Sequence, residues 1–161
     1  MRRNILSSIT LSTIGAAALL PAGLWAAPNA STSAHYLTQV DQQTFQIQTQ
    51  ADRLEEYVRS GVDEWTINAS LTADIADGAQ KLSALLDQVA AQPGANNDTR
   101  MQVEKLKTLT AEVMAFSGSA YRDLETRAFP LYQRDVLINT VMIEERCNLI
   151  RSAAQTLANA R

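Results

Sequence analysis

The chain has 161 residues, 46% of them apolar, with 14 basic against 17 acidic side chains and a formal charge of −3. That balance argues against nucleic acid or an anionic membrane surface as a partner, because both select clustered Lys and Arg. The single cysteine, Cys147, excludes an internal disulfide.

Residues 1–26 read as a signal peptide. Arg2 and Arg3 form a basic start, Ile5 to Leu20 is apolar but rich in small residues, and Pro21 and Gly23 break the run. Leu24-Trp25-Ala26 then offers a small residue at a cut. Cleavage is expected after Ala26, with Ala27 as the alternative. The apolar run is poorer than the roughly 20 strongly apolar residues of a membrane span, so no stable insertion is expected after cleavage. No cysteine stands at the cut, which speaks against a lipoprotein. The start "RRNIL" also resembles a twin-arginine signal, although Met1 stands where Ser or Thr is usual. Both export routes stay open. Without Arg2 and Arg3, 14 less 2 leaves 12 basic against 17 acidic residues, a formal −5. The expected destination is the periplasm or the medium.

Residues 27–33 are small and polar and read as a flexible leader. Four helices follow, over 34–60, 63–92, 98–128 and 131–159. Gly61, Pro93-Gly94 with Asn96-Asn97, and Pro130 separate them, and each stretch is rich in Ala, Leu, Gln, Glu and Arg. No stretch alternates with period two over a strand's length.

The spacing is more informative than the composition. Leu37, Val40, Thr44, Ile47, Ala51, Leu54 and Val58 alternate three and four apart, a heptad seam. Trp65, Asn68, Thr72, Ile75, Ala79, Leu82, Leu86 and Val89 form the second seam. Val103, Leu106, Thr110, Val113, Ser117, Ala120 and Leu124 form the third, widened by Leu109 and Phe116. The fourth is Val136, Thr140, Ile143, Cys147, Ile150, Ala154 and Leu157, with Ile138, Val141, Met142 and Leu149 expected to broaden the same face. Wide stripes suit a closed globular bundle. The expected fold is therefore all-α, an antiparallel up-down-up-down four-helix bundle in one domain. A long helical hairpin that dimerises into four helices is the alternative, and the seams are compatible with a homodimer in either case. Asp63 and Asp98 are candidate caps for the second and third helices, and Gly61 can close the first.

Several chemistries lack their residues. The one histidine, His35, lies beside the leader, so the Glu-x-x-His pairs of di-iron bundles and the Cys-x-x-Cys-His of attached haem are missing. No cofactor and no metal is expected. A Cys147–His35 nucleophile pair would need a mid-seam residue to meet a helix terminus. The acidic pairs Glu55-Glu56 and Glu144-Glu145 do not face each other on a helix, and read as solvated surface partly paired with Arg53, Arg59, Arg146 and Arg151. No catalytic residues are expected.

Two groups of residues stand out. Asn68, Thr72, Ser117 and Thr140 would share neighbouring layers of the bundle, beside Trp65. Buried hydroxyls and an amide near aromatics could line a small-ligand pocket. They could equally bond their own helix carbonyls or fix register. In "YRDLETRAFPLYQR", Tyr121, Arg122, Arg127, Phe129, Tyr132 and Arg134 surround the proline break. Tyr and Arg are enriched at protein interfaces, although aromatics beside a turn also plug bundle ends. Cys147, between Ile143 and Ile150, reads as a small buried hydrophobe, an inert free thiol.

Trp65 after the acidic pair Asp63-Glu64, with "DIADGAQKLSALL" (Asp74 to Leu86) downstream, resembles a group of small exported helical proteins from soil bacteria. Those often carry a histidine in the second helix, which this chain lacks. The resemblance covers the first two helices; it implies a fold and a compartment, and transfers no activity. The expected function is that of an exported, non-catalytic interaction protein, adaptor or accessory subunit of the cell envelope. A soluble ligand-binding or sensor bundle is the alternative. A cofactor carrier or enzyme subunit on a twin-arginine route is the third reading.

Overall fold

An amphipathic helix keeps its apolar stripe out of water only by finding partners for it, and four such stripes close on one another here. The computed structural model describes residues 29–61, 64–126 and 131–160, with side chains from Ser33 onward; the signal-peptide reading of residues 1–26 lies outside them. The helices are α1 (Asn29–Ser60), α2 (Trp65–Ala90), α3 (Asn97–Thr126) and α4 (Gln133–Asn159). Each packs against its two neighbours, α1 and α3 both lying against α2 and α4. Cross-helix bonds fix the antiparallel sense. Trp65 at the start of α2 bonds the Leu124 carbonyl near the end of α3, and Gln133 at the start of α4 bonds the Val58 carbonyl near the end of α1. This is the up-down-up-down four-helix bundle expected from the seams. One chain closes it, so the dimerised-hairpin alternative is corrected.

The seam residues supply the core. Val40, Leu54, Ile75, Leu82, Leu86, Val103, Val113, Ile143 and Ile150 are fully buried, and Leu109 and Phe116 pack on the edge of that core. Burying one Leu or Ile contributes about 1.5–3 kcal/mol, which drives the assembly.

The helix ends differ from expectation in three places. α1 begins at Asn29, so residues 29–33 are helical and not a flexible leader; residues 27 and 28 lie outside the described part. The reason is legible afterwards. Neither Gly nor Pro interrupts Asn29 to Leu37, and Ser33, buried, extends the seam one step upstream. α2 starts at Trp65 with Glu64 in the cap position and no side-chain cap bond; Asp63 lies outside the described residues. α3 is capped by Asn96, whose Oδ1 accepts from the Thr99 amide at 2.8 Å. Asp98 instead stands in the first turn, where its charge suits the helix dipole. Gly61 closes α1 as expected, at φ 72°.

Gly78 sets the distance between α1 and α2. A Cβ there would sit 2.8 Å from Ile47 Cγ1 and 3.3 Å from Gln43 Nε2. Gly78→Ala is expected to lose about 1 kcal/mol net, overpacking outweighing the better helix propensity. Gly118, with nothing within 4 Å of the same probe position, is expected to gain up to about 1 kcal/mol as Ala. Urea unfolding of both variants checks the opposite signs.

Candidate functional site

The antiparallel register brings the expected polar residues together but commits their hydroxyl protons to main-chain carbonyls. Ser117 Oγ on α3 donates to the Thr72 carbonyl on α2 at 2.6 Å, Thr72 Oγ1 to the Ala69 carbonyl at 2.8 Å, and Thr140 Oγ1 to the Leu137 carbonyl at 2.8 Å. Back-bonding to one's own helix is the ordinary fate of a buried Thr. Trp65 does not line this layer. It is 45% exposed, and its indole Nε1 donates to the Leu124 carbonyl at 3.1 Å. It thereby satisfies one of the carbonyls left open at the end of α3. Asn68 differs from the hydroxyls. It is fully buried, one turn nearer the Trp65 end, and neither its Nδ2 nor its Oδ1 has a partner.

The aromatic and basic cluster divides. Tyr132 is buried, caps α4 and belongs to the core, so it plugs the bundle end. Tyr121 is half-buried; its hydrogen bond to Glu125 raises the phenol above its ordinary range, with Glu125's charge and burial adding to the effect. Arg122 and Arg134 are exposed. Arg127 and Phe129 lie outside the described residues.

Cys147 is a buried free thiol, as the seam implies. Burial above all, then the charges of Glu144 and Asp52, push it up to about 12, against a small opposing pull from Arg151. A thiol reagent should leave the native protein unmodified and add one equivalent in denaturant, read by mass spectrometry. His35 is exposed beside Gln39 on α1, so the two residues form no nucleophile pair.

Glu144 corrects a second expectation. It is half-buried, and its Oε1 is enclosed with no donor to satisfy it. Burial chiefly, then the carboxylates of Glu55 and Asp52 on α1, raise it to about 7. Among these acids only a proton can serve as the shared donor. Two of the expected pairings form, Arg59 with Glu55 and Arg146 with Glu145, while Arg146 also holds Glu112 and Arg151 holds Asp41 at 3.0 Å; none of these pairs includes Glu144. Spacing within one helix hides this trio. Glu55 and Glu144 each follow a seam residue, and such flanks meet across an antiparallel pair. Among the described residues no group of three or more His, Cys, Asp or Glu is arranged to hold a metal ion.

The fourth helix holds the last correction. Ile138, Val141 and Leu149, expected to widen the inward face, are 50%, 49% and 48% exposed, while Met142 and Leu137 are half-buried. The other helices expose large apolar side chains singly, Tyr57 on α1, Trp65 on α2 and Met101 on α3, among polar or small residues such as Thr38 and Gln42, Thr66, Ser70 and Asp77, and Thr108, Ala111 and Ala115. Phe45 on α1 is exposed, but the Arg151 guanidinium lies 5.4 Å from its ring centre. On α4, Arg134, Leu137, Ile138, Val141 and Met142 line an open apolar groove. At about 100° per residue Ile138 and Val141 lie nearly opposite Val136 and Ile143, so the sequence carries two apolar faces on α4 that the expectation of one broad stripe merges.

No helix of the described residues is long and apolar enough to cross a membrane. A scan against protein-family models finds no match for this chain, and searches of the curated proteins and of the solved structures find none either.

Proposed function

We propose that this chain is an exported, non-catalytic interaction protein of the cell envelope, an adaptor or accessory subunit that works through its outer surface. The observation that carries the reading is the outward stripe of Ile138, Val141 and Leu149 on a bundle whose core is already closed. Large aliphatic side chains in water cost about 25 cal/mol per Å² of apolar surface, a cost a partner would remove. The signal-like start favours the export half of the reading.

Cross-linking in the native host tests it. A wild-type chain should yield a cross-linked species in the periplasmic fraction, and Ile138→Asp with Val141→Asp should abolish it without unfolding the bundle. Equal patterns for the two proteins refute the interaction reading. Mass spectrometry of the exported protein should show an N-terminus at Ala27; a chain retained in the cytoplasm with Met1 or Arg2 first refutes the export half.

Asn68 supports a second reading, a ligand-binding or sensor bundle. A buried carboxamide without a partner is the group of the expected pocket whose donors and acceptor are all open to a small polar ligand. A thermal-shift screen in which a small polar compound raises the melting point of wild type but not of Asn68→Leu would establish it.

A further inference from the structure

We infer that the outward face of α4 is the seat of a second copy of this chain, packed antiparallel about a two-fold axis that passes between Ile138 and Val141. The inference rests on the interaction reading and names its partner. Four exposed residues on this face, Arg134, Ile138, Val141 and Glu145, are spaced four, three and four apart. That is a heptad seam on the side of the helix opposite Val136, Ile143 and Ile150. The order is basic, aliphatic, aliphatic, acidic. Turned end for end, it meets itself with each aliphatic side chain opposite an aliphatic one. Arg134 of one copy then lies opposite Glu145 of the other, at both ends of the contact. An isologous interface demands such self-complementarity, and a partner of arbitrary sequence has no reason to match it. Parallel pairing would instead set Arg134 against Arg134 and Glu145 against Glu145, so charge also selects the direction. Glu145 already touches Arg146 at 3.0 Å. This contact is exposed and leaves the carboxylate within reach of a second guanidinium.

From Arg134 to Glu145 the helix rises about 17 Å. Even with Leu137 and Met142 on its flanks, the patch is small against the roughly 800 Å² that each partner of a standard interface buries. The dimer therefore forms reversibly and dissociates on dilution.

Sedimentation equilibrium of the purified protein, over a dilution series reaching roughly 0.5 mM, provides the test. The expected result is a mass that doubles with concentration. Ile138→Asp should hold it at one chain, with an unchanged circular dichroism spectrum and melting point as proof of folding. Arg134→Glu and Glu145→Arg should each weaken self-association at least tenfold, and the two together should restore it. A wild-type protein that stays monomeric overturns the inference. So does a dimer that Ile138→Asp leaves intact, which would place the contact elsewhere. If the wild type is monomeric yet its cross-linked species in the host is lost on Ile138→Asp, self-association is wrong and the interaction reading stands. If Ile138→Asp changes neither assay, both fall.

Discussion

Asn68→Leu should stabilise the bundle by about 1–3 kcal/mol, the cost of a buried polar group left unpaired. A carboxamide offers two donors and an acceptor with two lone pairs, and neither Nδ2 nor Oδ1 has a partner at this fully buried position. The surrounding hydroxyls cannot give up their protons to it without breaking their own bonds: Thr72, Ser117 and Thr140 all donate to main-chain carbonyls. Leucine has the same branching at Cγ and no such requirement. The added volume meets small neighbours on α3, where the antiparallel register sets Ser117 and Ala120 near this level, and packs against Leu54 and Val58 on α1. Guanidinium unfolding reads the result as a higher midpoint at unchanged slope. A loss of stability instead means that Asn68 is held by an enclosed water or a small ligand, which would move the ligand-binding reading ahead of the interaction reading.

The fold was legible because the heptad seams are long and nearly unbroken. The seam positions from Leu37 to Val58 and from Val103 to Leu124 are all buried, Thr44 and Ser117 included. A Thr or Ser at a core position fits the period even where it breaks the hydrophobic pattern. The candidate pocket was legible as a place but not as chemistry. An up-down-up-down register inferred from the seams puts Thr72 and Ser117 in nearby layers, whereas the direction of their hydroxyl protons depends on local carbonyls. The exposed stripe and the acidic trio were missed for a common reason. Both need the angle of each position about its own helix axis, and an apolar or acidic residue type does not by itself supply that angle. Val141 and Ile143 are two apart; the first is half in water and the second fully buried. Cys147 was read correctly because it lies on the seam itself.

The acidic trio gives the bundle a pH-dependent stability that sequence spacing did not announce. Glu144 binds its proton more tightly in the folded chain, at about 7, than at its ordinary 4.5, because it is enclosed and faces Glu55 and Asp52. The folded state therefore holds more protons than the unfolded state between these two values, and stability falls as pH rises through that interval. The contribution is complete below about pH 4.5 and lost above about pH 7. An unscreened displacement would be worth about 1.4 kcal/mol per pH unit; water over a half-exposed cluster reduces the whole to about 1–2 kcal/mol. Glu144→Gln removes the titration and supplies an amide donor to the two remaining carboxylates. Its advantage over wild type should be near zero at pH 4 and rise to about 1–2 kcal/mol at pH 8. The difference between the two proteins cancels the titrating groups remote from this cluster, so its pH dependence belongs to residue 144 and the two carboxylates it faces. Glu145→Gln, one position along on the exposed face, should show no such trend. An advantage of Glu144→Gln that is constant from pH 4 to pH 8 would mean that Glu144 titrates alike in the folded and unfolded chains, and that α1 and α4 part enough to let water between the carboxylates.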